Sequence, residues 1–73
     1  MKSNVIDIDM LQAKYKLGEP VYLTTDPDQI ERIVTGIIHR PHGIVYIVAL
    51  VGAETYHYDI ELSREPNILK KVN

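Results

Sequence analysis

The spacing of apolar positions changes along the chain, and each change marks a predicted element. Ile6, Met10, Ala13 and Leu17 recur at the interval that lines one side of a helix. Asp7 or Asp9 is placed to cap its start. Leu17-Gly18 followed by Pro20 marks its end, because glycine tolerates the terminal conformation and proline cannot continue the ladder. A short N-terminal helix is therefore expected. After Gly18 strict alternation takes over: Val21 and Leu23 face one way and Tyr22 the other, giving a short half-buried strand. Thr25-Asp26-Pro27-Asp28-Gln29 reads as a turn, with φ preset at Pro27 and the carboxylates of Asp26 and Asp28 accepting from nearby backbone N–H groups.

Residues 30–40 and 44–51 carry the longest β signal, joined by Arg40-Pro41-His42-Gly43. Proline at the second turn position and glycine where a positive φ is wanted predict a type I turn with a glycine bulge. That connection sets a register. With Arg40 opposite Ile44, Ile38 faces Tyr46, Gly36 faces Val48 and Val34 faces Leu50; on the other side Ile37 meets Ile47, Thr35 meets Ala49 and Ile33 meets Val51. Both faces are then apolar, and a chain this short has nothing to cover both faces of a flat sheet. The hairpin must curl, and Gly36 in mid-strand is the expected place for a bulge or bend. A turn at Gly52-Ala53-Glu54 leads to a further short strand at residues 55–58. A tight helical turn or strand end at 59–62 then brings Ile60 and Leu62 inward. The chain divides into a helical lead-in (1–16), a β-barrel (17–65) and a C-terminal tail (66–73) from which Ile68, Leu69 and Val72 are the residues able to dock.

Composition narrows what such a domain can do. The 73 residues are 45% hydrophobic and 25% charged, with ten acids against eight bases for a net charge of −2. A chain of this length buries only about 60% of its unfolded surface, which leaves no room for a second domain or a deep enclosed active site. Cysteine is absent, so disulfides, Cys-based zinc sites and a thiol nucleophile are excluded, and stability must come from aliphatic packing or association. No apolar run reaches the length of a signal-peptide core or a membrane span, which predicts a cytoplasmic protein. Interspersed charges of nearly balanced sign also lack the basic footprint of a phosphate-backbone binder.

Four stretches together resemble the small SH3-like β-barrels, in the broad sense that includes Tudor-like and KOW-like modules. They are Leu17-Gly18-Glu19-Pro20-Val21-Tyr22-Leu23, Ile33-Val34-Thr35-Gly36-Ile37, Gly43-Ile44-Val45-Tyr46-Ile47-Val48 and Tyr56-His57-Tyr58-Asp59-Ile60-Glu61-Leu62. They follow the order of a glycine-opened first strand, a long bent hairpin and a closing aromatic-to-leucine segment. The chain is similar in this respect to short bacterial and phage-type proteins of uncharacterised role. The resemblance covers residues 17–63 and implies a mainly β fold, a barrel of about five strands, which the short N-terminal helix read from the spacing precedes, and a binding module without chemistry of its own. KOW-like relatives are associated with ribosomal or transcription complexes through basic loops; near the hairpin this chain offers only Arg32 and Arg40.

The candidate chemistry is sparse. His39 and His42 flank the hairpin turn and His57 lies on a nearby strand, but this spacing does not bring three ligands to one point as a zinc site requires, so solvated turn histidines are the plainer reading. Asp26 and Asp28 lack the further ligands of a calcium loop. Ser3 and Ser63 have no strained nucleophile turn around them. No metal, cofactor or catalytic residue is expected.

Tyrosines are the better lead. Tyr22, Tyr46, Tyr56 and Tyr58 fall on strands that should be adjacent, and tyrosine combines apolar area with a polar tip suited to interfaces. With Arg40 and His42 as a polar rim, they form the expected partner surface. Its narrower forms are an aromatic cage for a cation, as in Tudor-like domains, or core packing alone. The apolar hairpin adds an argument for a homodimer or for a partner that buries one face, and an exposed edge adds strand addition. The expectation is a non-enzymatic protein–protein interaction module, a small adaptor or subunit capable of self-association. The alternative is a nucleic-acid-associated KOW-like or Tudor-like accessory module using Lys14, Lys16, Arg32 and Arg40.

Overall fold

In the computed structural model, residues 13–69 are described. Five antiparallel strands make one sheet: β1 (Pro20–Leu23), β2 (Arg32–Arg40), β3 (Gly43–Leu50), β4 (Ala53–Tyr58) and β5 (Leu62–Ser63), in the order β4-β3-β2-β1-β5. A 3-10 turn, Asp59–Glu61, carries the chain from β4 to β5 as expected, but of the two residues expected to turn inward only Leu62 is buried; Ile60, on the turn itself, is 82% exposed. The fold is mainly β. The sheet is open: β4 and β5 are its two ends, so the expected closed barrel is not formed. With only two residues, β5 has enough ladder for β1, through Tyr22 opposite Ser63 and Leu23 opposite Leu62, and presents little more.

The hairpin of β2 and β3 corrects the expected register. Arg40 lies opposite Gly43, not Ile44, so that His39 meets Ile44, Ile38 meets Val45 and Ile37 meets Tyr46. Gly43 joins the ladder at φ 138°, a conformation closed to most side chains. The loop thereby tightens to Pro41 and His42. A second shift follows at Thr35, where a bulge makes Val34 oppose Val48 while Gly36 opposes Ile47. The bend expected at Gly36 is thus present as an extra residue beside it. The next hairpin also differs from expectation. Leu50 pairs with Ala53, and its loop is Val51-Gly52, both at positive φ, as a type I′ turn demands.

One face of the sheet holds the core. Tyr15, Val21, Val34, Tyr46, Val48 and Leu62 form the buried cluster, with Leu23, Ile37 and Ile44 packed against it; each fully buried aliphatic side chain contributes about 1.5–3 kcal/mol. The expected inward direction of Val21 and Leu23 is borne out. The N-terminal helix is not seen. Its first part lies outside the described residues, and its last part, 13–17, is irregular. Leu17, on the expected apolar side, is 66% exposed, whereas Tyr15 is buried. Gly18, at φ 86°, shapes a turn in which Glu19 N–H donates to the Lys16 carbonyl, and its own N–H donates to the Val34 carbonyl at 2.7 Å. Glycine here opens a strand instead of ending a helix.

Two polar devices fix the connections. Asp26 closes the β1–β2 turn, its carboxylate accepting from Asp28 N–H at 2.8 Å and Ile30 N–H at 3.0 Å and pairing with Arg32 at 3.3 Å. Gln29, buried at φ 48°, donates from Nε2 to the carbonyls of Leu23 and Asp26, while its Oε1 accepts from Asn67 N–H at 2.7 Å. The chain after β5 is tied to the turn by this contact. Ile68 and Leu69 beyond it are exposed and do not dock, and Val72 lies outside the described residues.

Candidate protein-binding face

The face of the sheet opposite the core is built from three cross-strand rungs over β2, β3 and β4. Ile38, Val45 and Tyr58 make the first; Gly36, Ile47 and Tyr56 the second; Ile33, Ala49 and Glu54 the third. Alternation along each strand sends these side chains away from the core. Six of the nine are large and apolar, and no described segment lies across them. Ile33, Tyr58 and Tyr56 are exposed, the last at 57%. Val45, on the central strand in the first rung, is buried.

Gly36 shapes this surface by what it lacks. A Cβ there would lie 2.7 Å from Ile47 Cδ1 and 3.2 Å from Cγ1, so the missing side chain is the space into which Ile47 folds down. The face is flatter for it. On the same side Gly43 lies under the Tyr58 ring, 3.8 Å from where its Cβ would stand. The Thr35 hydroxyl donates to the Glu54 carboxylate at 2.9 Å, a polar tie between β2 and β4 at one end of the rungs.

The tyrosines expected to act together are divided. Tyr56 and Tyr58 share the outer face. Tyr22, half-buried on β1, points to that side and its hydroxyl donates to Glu31 at 3.4 Å. Desolvation raises its phenol pKa above the ordinary range, and the Glu31 carboxylate acts in the same direction. Tyr46 belongs to the core at 1% exposure. Its hydroxyl accepts from Lys14 N–H at 2.7 Å, and its ring meets Tyr15 edge-on at 5.2 Å. The fifth tyrosine, outside the expected set, packs beside it in the core: Tyr15 also donates to the Leu62 carbonyl at 3.1 Å. Only its bulk near a short strand, and no periodic signal, pointed to it. Arg40 and His42 stand exposed at the hairpin tip.

Other groupings are self-contained. His57 sits between Glu61, 2.6 Å from Nδ1, and the Thr55 hydroxyl, 2.7 Å from Nε2, which ties the 3-10 turn to β4. Among the described residues no three His, Asp or Glu side chains converge as metal ligands. The bases of the nucleic-acid alternative are dispersed: Arg32 is paired with Asp26, Lys14 reaches over the Tyr15 ring at 5.6 Å, and Arg40 is at the far tip. Arg64, also over Tyr15, bonds Glu19 and the Lys14 carbonyl. The Lys16 N–H bond, and the Arg64 charge after it, hold the Glu19 carboxyl below its usual range against the opposing pull of desolvation. A hollow of about 590 Å³ opens on the core side between the lead-in and β2, lined by Ala13, Tyr15, Leu17, Ile37 and His39 among others. A smaller one, about 230 Å³, lies at the tip near His42, Tyr58 and Asp59. Among the described residues no helix is long and apolar enough to cross a membrane.

Set against family models, curated proteins and solved structures, the chain has no significant match.

Proposed function

We propose that this chain is a non-enzymatic protein-interaction module, a small adaptor or subunit of the cytoplasm, whose binding surface is the outer face of β2, β3 and β4. One observation carries the reading: an apolar strip through Ile38, Val45, Ile47, Tyr56 and Tyr58 lies on the side of the sheet that the core does not use. Large aromatic side chains at the centre of such a strip supply most of the energy when a partner excludes water from them. The same proposal takes the architecture as a partly open relative of the SH3-like barrels. The strand order, the bulge in β2 and the 3-10 turn between β4 and β5 support it. A nucleic-acid role finds less support, since two of its four expected bases are engaged within the chain.

A photo-crosslinking residue placed at Tyr56 tests the surface in living cells. A protein adduct is expected from that position and not from Glu65, which is exposed outside the strands. No adduct at Tyr56, or equal adducts at both, overturns the reading.

A further inference from the structure

We infer that the partner of the outer face is a second copy of this chain, stacked sheet on sheet about a two-fold axis that runs across the strands. The inference rests on the proposed binding face and commits it to one occupant. Its warrant is the distribution of charge along the apolar strip. Arg40 follows Ile38 on the same side of β2 and stands at the hairpin end. Glu54 closes the third rung at the opposite end, and Glu31 lies beyond it beside Tyr22. Six residues of β2, one of them the extra residue of the bulge, separate Ile33 from Arg40, about 20 Å at the rise of a strand.

A strip with a cation at one end and acids at the other is complementary to its own image turned end for end. An axis along the strands would set Arg40 over Arg40 and Glu54 beside Glu54, which like-charge repulsion opposes. An axis across them sets each Arg40 over the acidic end of the other copy, and keeps the two sheets near the aligned packing that twisted sheets adopt. Asp59, past the end of β4, lies round the edge by the smaller hollow with His42 and leaves Arg40 as the cation of the face. A net charge of only −2 leaves little general repulsion between copies. Both copies bring the same rungs, so Tyr56, Ile47 and Tyr58 of each contribute to one apolar centre.

Three rungs of three strands cover roughly 15 by 20 Å, well short of the about 800 Å² per partner of a standard interface. The dimer is therefore a weak, rapidly exchanging one, with a Kd on the order of 10 μM. Sedimentation equilibrium of the purified chain across that concentration range should show mass rising from monomer to dimer. Because this axis lays β2 over β2, the acid facing Arg40 is Glu31 of the other copy. Arg40→Glu and Glu31→Arg should each weaken association about tenfold, and the double variant R40E/E31R should recover it. Recovery separates pairing between copies from damage within one, and thermal melts of each variant show that the fold is kept. A chain that stays monomeric at about 1 mM, two orders above that constant, overturns the inference, as does a double variant no better than the singles. If the pure chain is monomeric while Tyr56 still crosslinks to a different protein in cells, the inference falls and the proposed binding face stands. Absence of any Tyr56 adduct removes the face itself.

Discussion

Val51 is a β-branched residue held at φ 50° and 96% exposed, so it carries backbone strain without packing in return. The type I′ loop it shares with Gly52 favours Asn at that position. Val51→Asn should stabilise the chain by about 1 kcal/mol, read as a higher denaturation midpoint at unchanged slope; a lower midpoint would show that the valine earns its place by an unseen contact. Gly36→Ala tests the space under Ile47. Ala forces the Ile47 side chain upward, but it also recovers the strand preference that glycine lacks, so stability should change by less than about 1 kcal/mol. Ile47 methyl shifts, in contrast, should move clearly, and methyl shifts left unchanged would mean that the face does not depend on this gap. The positive φ of Gly43 and the turn role of Gly52 were legible in the sequence because glycine next to Pro-His or before a polar strand has few other uses. The buried role of Gln29 was not, since a lone glutamine after a turn carries no periodic signal.

The β1–β2 turn shows how an element is held by one side chain. Hydrogen bonds from the backbone N–H groups of Ile30 and Asp28, with the Arg32 charge after them, keep the Asp26 carboxyl below its usual range. The native state therefore holds the proton more weakly than the unfolded chain, and protonation favours unfolding. This contribution is complete above the unfolded carboxylate value of about 3.9 and is lost as pH falls through the lower folded value. Glu19 adds to it with the same sign. Denaturant titrations in an acid pH series should show stability falling below about pH 4, and Asp26→Asn should flatten that fall while lowering stability at neutral pH. An acid limb unchanged in the variant would mean that the turn does not set it. The strands themselves were readable from alternation, but the hairpin register was not. A loop of Pro41 and His42 and one of three residues fit the same four letters, and the bulge at Thr35 is settled by which aliphatic side chains meet across the strands.

For the molecule as a whole, the lead-in before β1 is part of the core. Tyr15 fills the space between Tyr46 and Leu62, with Arg64 over its ring. A domain of this size has only about 3–5 kcal/mol to lose, and truncating a buried aromatic costs about that much. Tyr15→Ala should therefore leave the chain largely unfolded, with loss of dispersed amide resonances, whereas Tyr15→Phe should cost about 1 kcal/mol for the bond to the Leu62 carbonyl. A folded Tyr15→Ala protein of near-native midpoint would show that the sheet holds its core without the lead-in.

Local chemistry alone determined that this chain is mainly β, that Pro41-His42 and Gly52 are turns, that Asp26 closes a turn, and that both sides of the central hairpin are apolar. Each follows from residues within a few positions of one another. What only the tertiary structure decided is which side of the sheet the rest of the chain covers. Tyr15 and Leu62, far apart along the chain, meet over Tyr46 and take one face for the core, and with it one of the expected surface tyrosines. The opposite face, with Tyr56, Tyr58 and the Ile47 set into the gap at Gly36, has no further segment among the described residues laid across it.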